Sequence, residues 1–143
     1  MWTKDRPMLS IVIPTLNEGG NIGATIDALK KGGIKCRYDI IVADGGSSDA
    51  TIEEARARGA DIIESEPGRG VQLAAGGRHA KCTWLLFLHA DTELAAGWYD
   101  EVEAFMQDEG NYRHAAAFSF LLDDDSPAAN VLEGIVNLRT RIL

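Results

Sequence analysis

The stretch WLLFLHADTEL, residues 84–94, sets an apolar run directly against polar side chains. Its five apolar residues, Trp84–Leu88, have the length and composition of a buried strand, and the run ends abruptly at His89 and Asp91. A buried strand can end on any residue type. An imidazole and a carboxylate at its end indicate that the protein binds a polar group at that edge of the sheet.

Strand and helix patterns alternate along the chain with short links between them. We predict strands at residues 9–14, 38–43, 61–64 and 84–88, and helices at 21–31, 48–58 and 71–81. The pattern beyond them predicts a helix at 93–107, a strand at 114–122 and a helix at 127–143. Such alternation is typical of a parallel sheet with helices on both faces, the α/β class. Because the strands are continuous apolar runs, we expect them to be buried on both faces.

Length, composition and charge narrow the class of protein. The 143 residues suffice for one domain, and 45% hydrophobic with 25% charged residues is ordinary for a soluble protein. A net charge of -8 argues against nucleic acid as a partner, since a phosphate backbone requires a basic surface. We find no signal-peptide pattern and no apolar run near the length of about 20 residues that spans a bilayer, so we expect a cytoplasmic location. Cys36 and Cys82 have no metal-site spacing and are expected to be free thiols.

Polar and glycine-rich segments follow all four of these strands. They are Pro14–Glu18, Asp44–Asp49, Pro67–Gly70 and His89–Asp91. In an open parallel sheet the ligand crevice lies outside the carboxyl ends of the strands, so we expect these segments to meet at one edge.

A dinucleotide-binding domain is one alternative, and the first turn argues against it. Such a domain needs glycines in that turn so that a pyrophosphate can reach a helix N-terminus. This chain has Leu16 and Glu18 there instead, and Glu18 would repel a phosphate.

Two interpretations of Asp91 are open. Its carboxylate could hold Mg²⁺ or Mn²⁺ together with the phosphate oxygens of a ligand, or it could cap a helix that begins at Thr92. His89 is either a ligand or a half-buried structural histidine. Arg69, the one cation predicted at the rim of this acidic edge, could contact a phosphate directly.

Three segments together resemble a known family. SIVIPTLNEGGNI at 10–22, DIIVADGGSSDAT at 39–51 and WLLFLHADTEL at 84–94, in this order and at these intervals, are similar to the family 2 glycosyltransferases, and the third to a subgroup with an LFLHADT-type strand. The specific motifs cover residues 8–96. The resemblance implies the Rossmann-like GT-A fold, with a mostly parallel sheet and helices on both faces. It also implies transfer of a sugar from a nucleotide diphosphate sugar to an acceptor, assisted by a divalent cation, Mg²⁺ or Mn²⁺.

The resemblance further implies roles for individual residues. Asp91 matches the metal-binding carboxylate of the family, the last Asp of its DxD signature, and Asp44 matches the Asp that usually accepts a hydrogen bond from the base. His89 stands where the signature usually has an Asp directed at the ribose, which leaves the ribose contact and the preferred metal open. The other residues expected around the nucleotide sugar are Pro14, Thr15, Asn17, Glu18, Gly45, Ser47 and Arg69.

The resemblance divides the single domain, residues 1–143, into two halves. Residues 8–96 form the nucleotide-sugar-binding half, and residues 97–143 form part of an acceptor half that is shorter than in the family and expected to be incomplete. That half normally carries the general base, to which we assign no residue, and we interpret Asp123–Asp125 as a solvated acidic turn. The apolar face of the helix predicted at 127–143 indicates a homo-oligomer, or contact with a membrane surface if the acceptor is a lipid.

Two other functions stay open at this point. A non-catalytic nucleotide-binding or regulatory domain would keep Asp44 and Asp91 without the general base. A nucleotidyltransferase on a related fold usually has a glycine-rich, basic first turn, which Pro14–Glu18 is not.

Overall fold

The computed structural model describes residues 9–118 and residue 126. Its strands are β1 (Leu9–Thr15), β2 (Tyr38–Asp44), β3 (Asp61–Glu64) and β4 (Trp84–Phe87). Its α-helices are α1 (Ile22–Lys31), α2 (Thr51–Ala57), α3 (Arg69–His79) and α4 (Trp98–Gln107), followed by a 3-10 helix at Glu109–Arg113. The chain divides into two compact units, residues 1–106 and 107–143, and the strands lie in the first.

The strands form one parallel sheet in the order β3-β2-β1-β4. Strand β1 lies between β2 and β4, and its register pairs Thr15 with Asp44 and Val12 with Phe87. Because all pairs are parallel, the four carboxyl ends lie at the same edge. The predicted α/β class is confirmed, and each strand end lies within one residue of its predicted position.

One face of the sheet carries the hydrophobic core. Ile11 and Ile13 of β1 pack there together with Ile40 and Val42 of β2, because alternate residues of a strand share a face. Side chains of α1 and α4 complete this buried cluster, among them Ile22, Ile26, Leu29, Trp98 and Tyr99. Burial of each large aliphatic side chain stabilises the fold by about 1.5–3 kcal/mol. The buried residues Ile22, Ile26 and Leu29 recur at helical spacing, so they share one side of α1.

Helix α3 packs against the opposite face of β1 and β2. A Cβ atom added at Gly76 would lie 2.2 Å from Cγ1 of Val12. A Cβ atom at the next residue, Gly77, would meet its nearest neighbours, in Leu85 and Phe87, at an ordinary 3.7 Å. The two internal glycines of α3 therefore differ, and Gly76 is the one that lets the helix approach the sheet closely.

The prediction that the strands are buried on both faces is wrong for the outer strands of the described sheet. Leu85 and Phe87 of β4 are 40% and 48% exposed, and β3 has no fully buried residue. Strand β4 has a hydrogen-bonded neighbour on one side within the described sheet. Gly77 of α3 lies beside its exposed side chains and has no side chain with which to cover them.

Helix α4 begins later than predicted, at Trp98 rather than near Glu93. Residues 92–95 have no regular structure, and Leu94 packs against the core. Gly97 has a φ of 84°, a left-handed conformation that glycine adopts without strain, and it makes the turn directly before the helix.

The starts of the other helices differ from the pattern in smaller ways. Helix α3 begins at Arg69, two residues before the predicted start. Helix α1 begins at Ile22, and the side chain of Asn21 before it makes no capping hydrogen bond but donates to the Glu18 carboxylate at 3.1 Å. Helix α2 begins at Thr51, whose N–H donates to the Asp49 carboxylate at 3.0 Å.

Several predictions for the C-terminal part are wrong or untested. Residues 114–118, where a strand was predicted, have no strand structure. The rest of the predicted strand, the acidic turn Asp123–Asp125 and the helix predicted at 127–143 lie outside the described residues.

The two cysteines, Cys36 and Cys82, are free thiols, as predicted. Among the described helices, none has the length and hydrophobicity that a membrane span requires.

The two glycines of α3 provide a matched test of the packing. We expect Gly76→Ala to lower the free energy of unfolding by roughly 1–3 kcal/mol, because its methyl group collides with Val12. Gly77→Ala has room for the methyl group and a better helix propensity, so it should be neutral or stabilise by up to about 1 kcal/mol. Urea unfolding of both variants measures the difference, and equal effects would contradict the close approach of α3.

Candidate functional site

Asp44, the last residue of β2, lies at the centre of the candidate site and is 1% exposed. Its Oδ1 accepts hydrogen bonds from the Thr15 hydroxyl at 2.9 Å and from the Ser47 hydroxyl at 2.5 Å. Its Oδ2 accepts from the N–H groups of Gly46 and Ser47, at 2.9 and 2.7 Å. Burial alone raises the pKa of Asp44, but these bonds outweigh it and hold the pKa below its ordinary value. The carboxylate is therefore ionised and bonded at both oxygens.

The loop after β1, residues 16–20 (the first loop), is held by side chains from residues 45–50 (the second loop) and from α2. Four successive N–H groups, those of residues 17–20, donate to these side chains. The acceptors in order are Ser47 Oγ (2.8 Å), Thr51 Oγ1 (2.8 Å), Asp49 Oδ2 (2.9 Å) and Glu54 Oε1 (3.1 Å). In return Asn17, whose φ is 56°, accepts from the N–H of Ser48 at 2.9 Å.

This network gives a physical reason against a dinucleotide-type first turn. A pyrophosphate bound at that turn needs free backbone N–H groups in the turn and at the start of the helix. The N–H groups of residues 17–20 already have protein acceptors, two of them carboxylates.

Gln72 of α3 joins the ends of β1 and β2 to residues 65–68 (the third loop). Its Nε2 donates to the carbonyl oxygens of Thr15 and Ala43, at 2.6 and 2.9 Å, and its Oε1 accepts from the N–H of Gly68 at 3.2 Å. The third loop lies against the second: a Cβ atom at Gly45 would be 3.1 Å from Cα of Pro67. A side chain at position 45 would press against Pro67 and Gln72, so the glycine allows the two loops to lie close together.

The turn after β4 is fixed from two directions. The N–H of Leu88 donates to the carbonyl of Val12 at 3.0 Å, and the hydroxyl of Thr25 on α1 donates to the carbonyl of Ala90 at 2.5 Å. Leu88 and Ala90 are buried, whereas the residues that alternate with them, His89 and Asp91, are exposed. The chain thus presents an imidazole and a carboxylate to solvent on an anchored backbone.

Asp91 is not a helix cap. The next helix begins at Trp98, and the Asp91 carboxylate accepts no hydrogen bond from the residues that the structure describes. The N–H of Thr92 donates to the carbonyl of His89 instead, at 3.2 Å. The helix-cap interpretation is therefore wrong. His89 is exposed rather than half-buried, and its ring too has no partner among residues 9–118 and 126.

The candidate cation-binding groups are few. Within the described part of the chain, no three His, Cys, Asp or Glu side chains come together as a metal site. The Asp91 carboxylate supplies a hard oxygen ligand, which suits Mg²⁺ or Mn²⁺ when phosphate oxygens and water supply the remaining ligands. The His89 nitrogen suits a transition ion such as Mn²⁺ rather than Mg²⁺. Arg69, the first residue of α3, is exposed and forms no ion pair with a described carboxylate. These residues fit a cation held jointly with a diphosphate rather than a closed protein site.

Comparison with protein families identifies the chain. The family model described as glycosyl transferase family 2 matches residues 10–118, a range that contains nearly the whole sheet and every side chain of the candidate site. The chain belongs to glycosyl transferase family 2. The resemblance inferred from the three sequence motifs is thereby confirmed.

Curated relatives of this family 2 chain are longer than it is. A PGL/p-HBAD biosynthesis glycosyltransferase of Mycobacterium bovis is 35% identical over 102 residues, which cover 62% of this chain and 37% of the relative. An uncharacterized glycosyltransferase of Rickettsia prowazekii is 29% identical over 110 residues, which cover 76% of this chain and 36% of the relative. The matched part of the family 2 chain thus spans less than two fifths of either relative.

Solved structures confirm the predicted GT-A fold. Glucosyl-3-phosphoglycerate synthase from Mycobacterium tuberculosis, in complex with UDP, superposes with a TM-score of 0.61 and 26% identity. The match covers 73% of this chain and 42% of the synthase. The same synthase in complex with Mn²⁺, UDP and phosphoglyceric acid matches with a TM-score of 0.61 and 25% identity, over 73% of this chain and 40% of that one.

The structure connects several of the residues that the sequence indicated. Thr15, Asn17, Asp44 and Ser47 belong to one hydrogen-bond network. Glu18 joins it through its backbone N–H, and Pro14 precedes Thr15. Arg69, His89 and Asp91 are exposed after the third loop and after β4. The nucleotide and metal roles of these residues remain predictions.

Five other side chains that hold the loops or the turn after β4 were not assigned to the site from the sequence. They are Thr25, Asp49, Thr51, Glu54 and Gln72. One signal for Gln72 was present, because it lies four residues before Gly76 and so on the same side of α3, the side that approaches the sheet.

Asp44 gives the stability a predictable pH dependence. Its folded pKa is below the unfolded value of about 3.9, so the carboxylate stabilises the fold fully above that pH, and the contribution is lost as pH falls through the folded pKa. We expect the free energy of unfolding of the wild type to fall more steeply below about pH 4 than that of Asp44→Asn. Asp44→Asn should be less stable at neutral pH, because an amide cannot accept all four bonds. Urea unfolding from pH 7 to pH 3 tests this, and parallel curves would contradict it.

Proposed function

We propose that this chain is the donor-binding part of a glycosyltransferase. It binds a nucleotide diphosphate sugar and a divalent cation at the carboxyl edge of its sheet, and the sugar is transferred to an acceptor hydroxyl. The observation that carries the proposal is the anchored turn after β4, which presents the exposed carboxylate of Asp91, unpaired among the described residues. Support comes from the glycosyltransferases among its relatives and from the UDP and Mn²⁺ in the similar solved structures.

The nucleoside is proposed to bind at the ends of β1 and β2. Asp44 already accepts four hydrogen bonds there, so a base N–H could bond to it only by replacing a donor such as the Ser47 hydroxyl. A main contribution of Asp44 is then to hold Thr15 and the second loop as a rigid surface for the base. The other residues proposed to border the nucleoside are Pro14, Asn17, Glu18, Gly45 and His89.

The diphosphate is proposed to bind between Asp91 and Arg69. Asp91 would hold the cation together with the diphosphate oxygens, and His89 is a second possible ligand. A bound divalent cation offsets the charge of the diphosphate, which an acidic edge cannot do alone. Arg69 has no carboxylate partner among the described residues, so its guanidinium is available to bond the diphosphate as negative charge develops on the leaving group.

Transfer also needs groups that this proposal does not assign. The acceptor oxygen forms a bond to the anomeric carbon while the bond from that carbon to the diphosphate breaks, and in the inverting members of the family a carboxylate takes the acceptor proton. The proposal names neither the general base nor the acceptor. Assembly into a homo-oligomer and contact with a membrane surface also remain predictions. A chain that binds donors without turnover would instead be the non-catalytic nucleotide-binding domain, so donor hydrolysis and transfer assays separate the two functions.

Nucleotide binding with and without metal is the direct test. We expect one of UDP, GDP, CDP and TDP to raise the Tm only when Mn²⁺ is present, since a ligand at a hundredfold excess over Kd adds about 2.7 kcal/mol of stability. Asp91→Asn should remove the metal-dependent shift. Glu93→Gln, which neutralises an exposed carboxylate two residues away, should keep it. No shift for any nucleotide in the wild type would overturn the donor site, and an unchanged shift in Asp91→Asn would overturn the role of Asp91.

The proposed role of Arg69 is tested by comparing the binding of a nucleoside diphosphate with that of the nucleoside alone. We expect Arg69→Ala to weaken binding of the nucleoside diphosphate by about tenfold, the loss of one charge-assisted hydrogen bond, and to leave binding of the nucleoside unchanged. Arg78→Ala, at the exposed other end of α3, is the control and should change neither. Isothermal titration gives the affinities. Equal losses for the nucleoside and its diphosphate would show that Arg69 does not act on the phosphates.

A further inference from the structure

Gln72 is a buried polar side chain whose hydrogen-bonding groups reach three separate segments. It is 4% exposed and lies one turn after Arg69 on α3. Both N–H groups of its amide have acceptors, and its oxygen accepts from Gly68. A buried amide that is satisfied in this way is costly to remove, because three hydrogen bonds of a buried side chain are lost together.

The two acceptors of Gln72 lie where the nucleoside is proposed to bind. They are the carbonyl oxygens of Thr15, the last residue of β1, and of Ala43, the residue before Asp44. The Thr15 carbonyl also accepts from the N–H of Gly45 at 2.9 Å. The amide nitrogen of Gln72 therefore bridges the ends of β1 and β2 on the side of α3. The hydrogen bond from the Thr15 hydroxyl to the Asp44 carboxylate is a second bridge between the same two strand ends.

The donor to Gln72 is the residue directly before Arg69. The N–H of Gly68 donates to Oε1 of Gln72, and Gly68 has a φ of 138°, which side-chain-bearing residues rarely adopt. The carbonyl of Gly68 accepts the first helical hydrogen bond of α3, from the N–H of Gln72 at 2.9 Å. Gln72 thus holds Gly68 through both its main chain and its side chain, and so fixes the backbone from which Arg69 extends.

We propose that Gln72 is a positioning residue of the donor site that sets Arg69 at a fixed distance from the ends of β1 and β2. This role rests on the proposed function, because it needs a ligand with a nucleoside at the strand ends and phosphates at Arg69. A ligand with two separate parts binds most tightly when the two sets of contacts are held in place before it arrives. The Gln72 side chain links these two sets directly through hydrogen bonds.

A double-mutant cycle tests whether Gln72 acts through Arg69. Gln72→Met keeps the approximate size of the side chain and removes all three hydrogen bonds. We expect it to weaken binding of the nucleoside diphosphate preferred in the metal panel by about tenfold in the wild type, and by less than about threefold when Arg69 is already alanine. Gln107→Met, the same change at an exposed residue, is the control and should have no effect. Calorimetric titration of the full chain gives the four affinities.

The outcomes separate this role from a general structural one and from the proposed function. Equal losses in the two backgrounds, or no loss in the wild type, would overturn the positioning role alone. A wild-type chain that binds no nucleoside diphosphate would overturn the proposed function, and this role with it.

Hydrogen exchange of the wild-type chain is a second test of the proposal, and it does not require the Gln72→Met variant to fold. We expect the N–H of Gly68 to exchange at least about tenfold more slowly than an unprotected loop amide, because it is hydrogen-bonded to the Gln72 side chain. Exchange at the unprotected rate would overturn the proposal.

Discussion

The candidate site depends on one buried charge. Removing a carboxylate from water costs several kcal/mol unless nearby donors replace its hydration, and Asp44 has four such donors. One comes from Thr15, which the parallel register of β1 and β2 brings opposite it. The other three come from the second loop, which must fold back over the strand end to provide them. In that conformation Ser47 meets the backbone of the first loop, so a single ion orders both loops.

The sequence predicted the parts of the fold that follow from local pattern and chain direction. Continuous apolar runs marked the strands, and parallel pairing then placed Asp44 and Asp91 at one edge wherever each strand lay in the sheet. The exposure of Leu85 and Phe87 could not be predicted in this way, because it depends on the strand order and on which helix residue lies opposite. The start of α4 was missed because Leu94 packs in the core, which overrides the helical pattern at Glu93.

The contacts within the site were mostly beyond local pattern. Gln72 bonds to Thr15 and Ala43, which are 57 and 29 positions away in the chain, and nothing in the Ala- and Gly-rich sequence of α3 indicates those partners. Ser and Asp in the second loop, with Thr51 after it, predicted a turn and a helix start. That their oxygens accept from the first loop, rather than from their own turn alone, follows from the tertiary fold.

The network between the two loops distributes mutational constraint unequally. Glu18 takes part through its backbone N–H, which every residue except proline carries, so many side chains at that position preserve the contact. Its partner Thr51 takes part through a side-chain oxygen, as do Ser47 and Asp49. Each of these three residues can be replaced only by one whose side chain places an acceptor at the same position. Over evolutionary time the second loop should therefore keep its residue types, while position 18 of the first loop is free to diverge and to adapt to different donors.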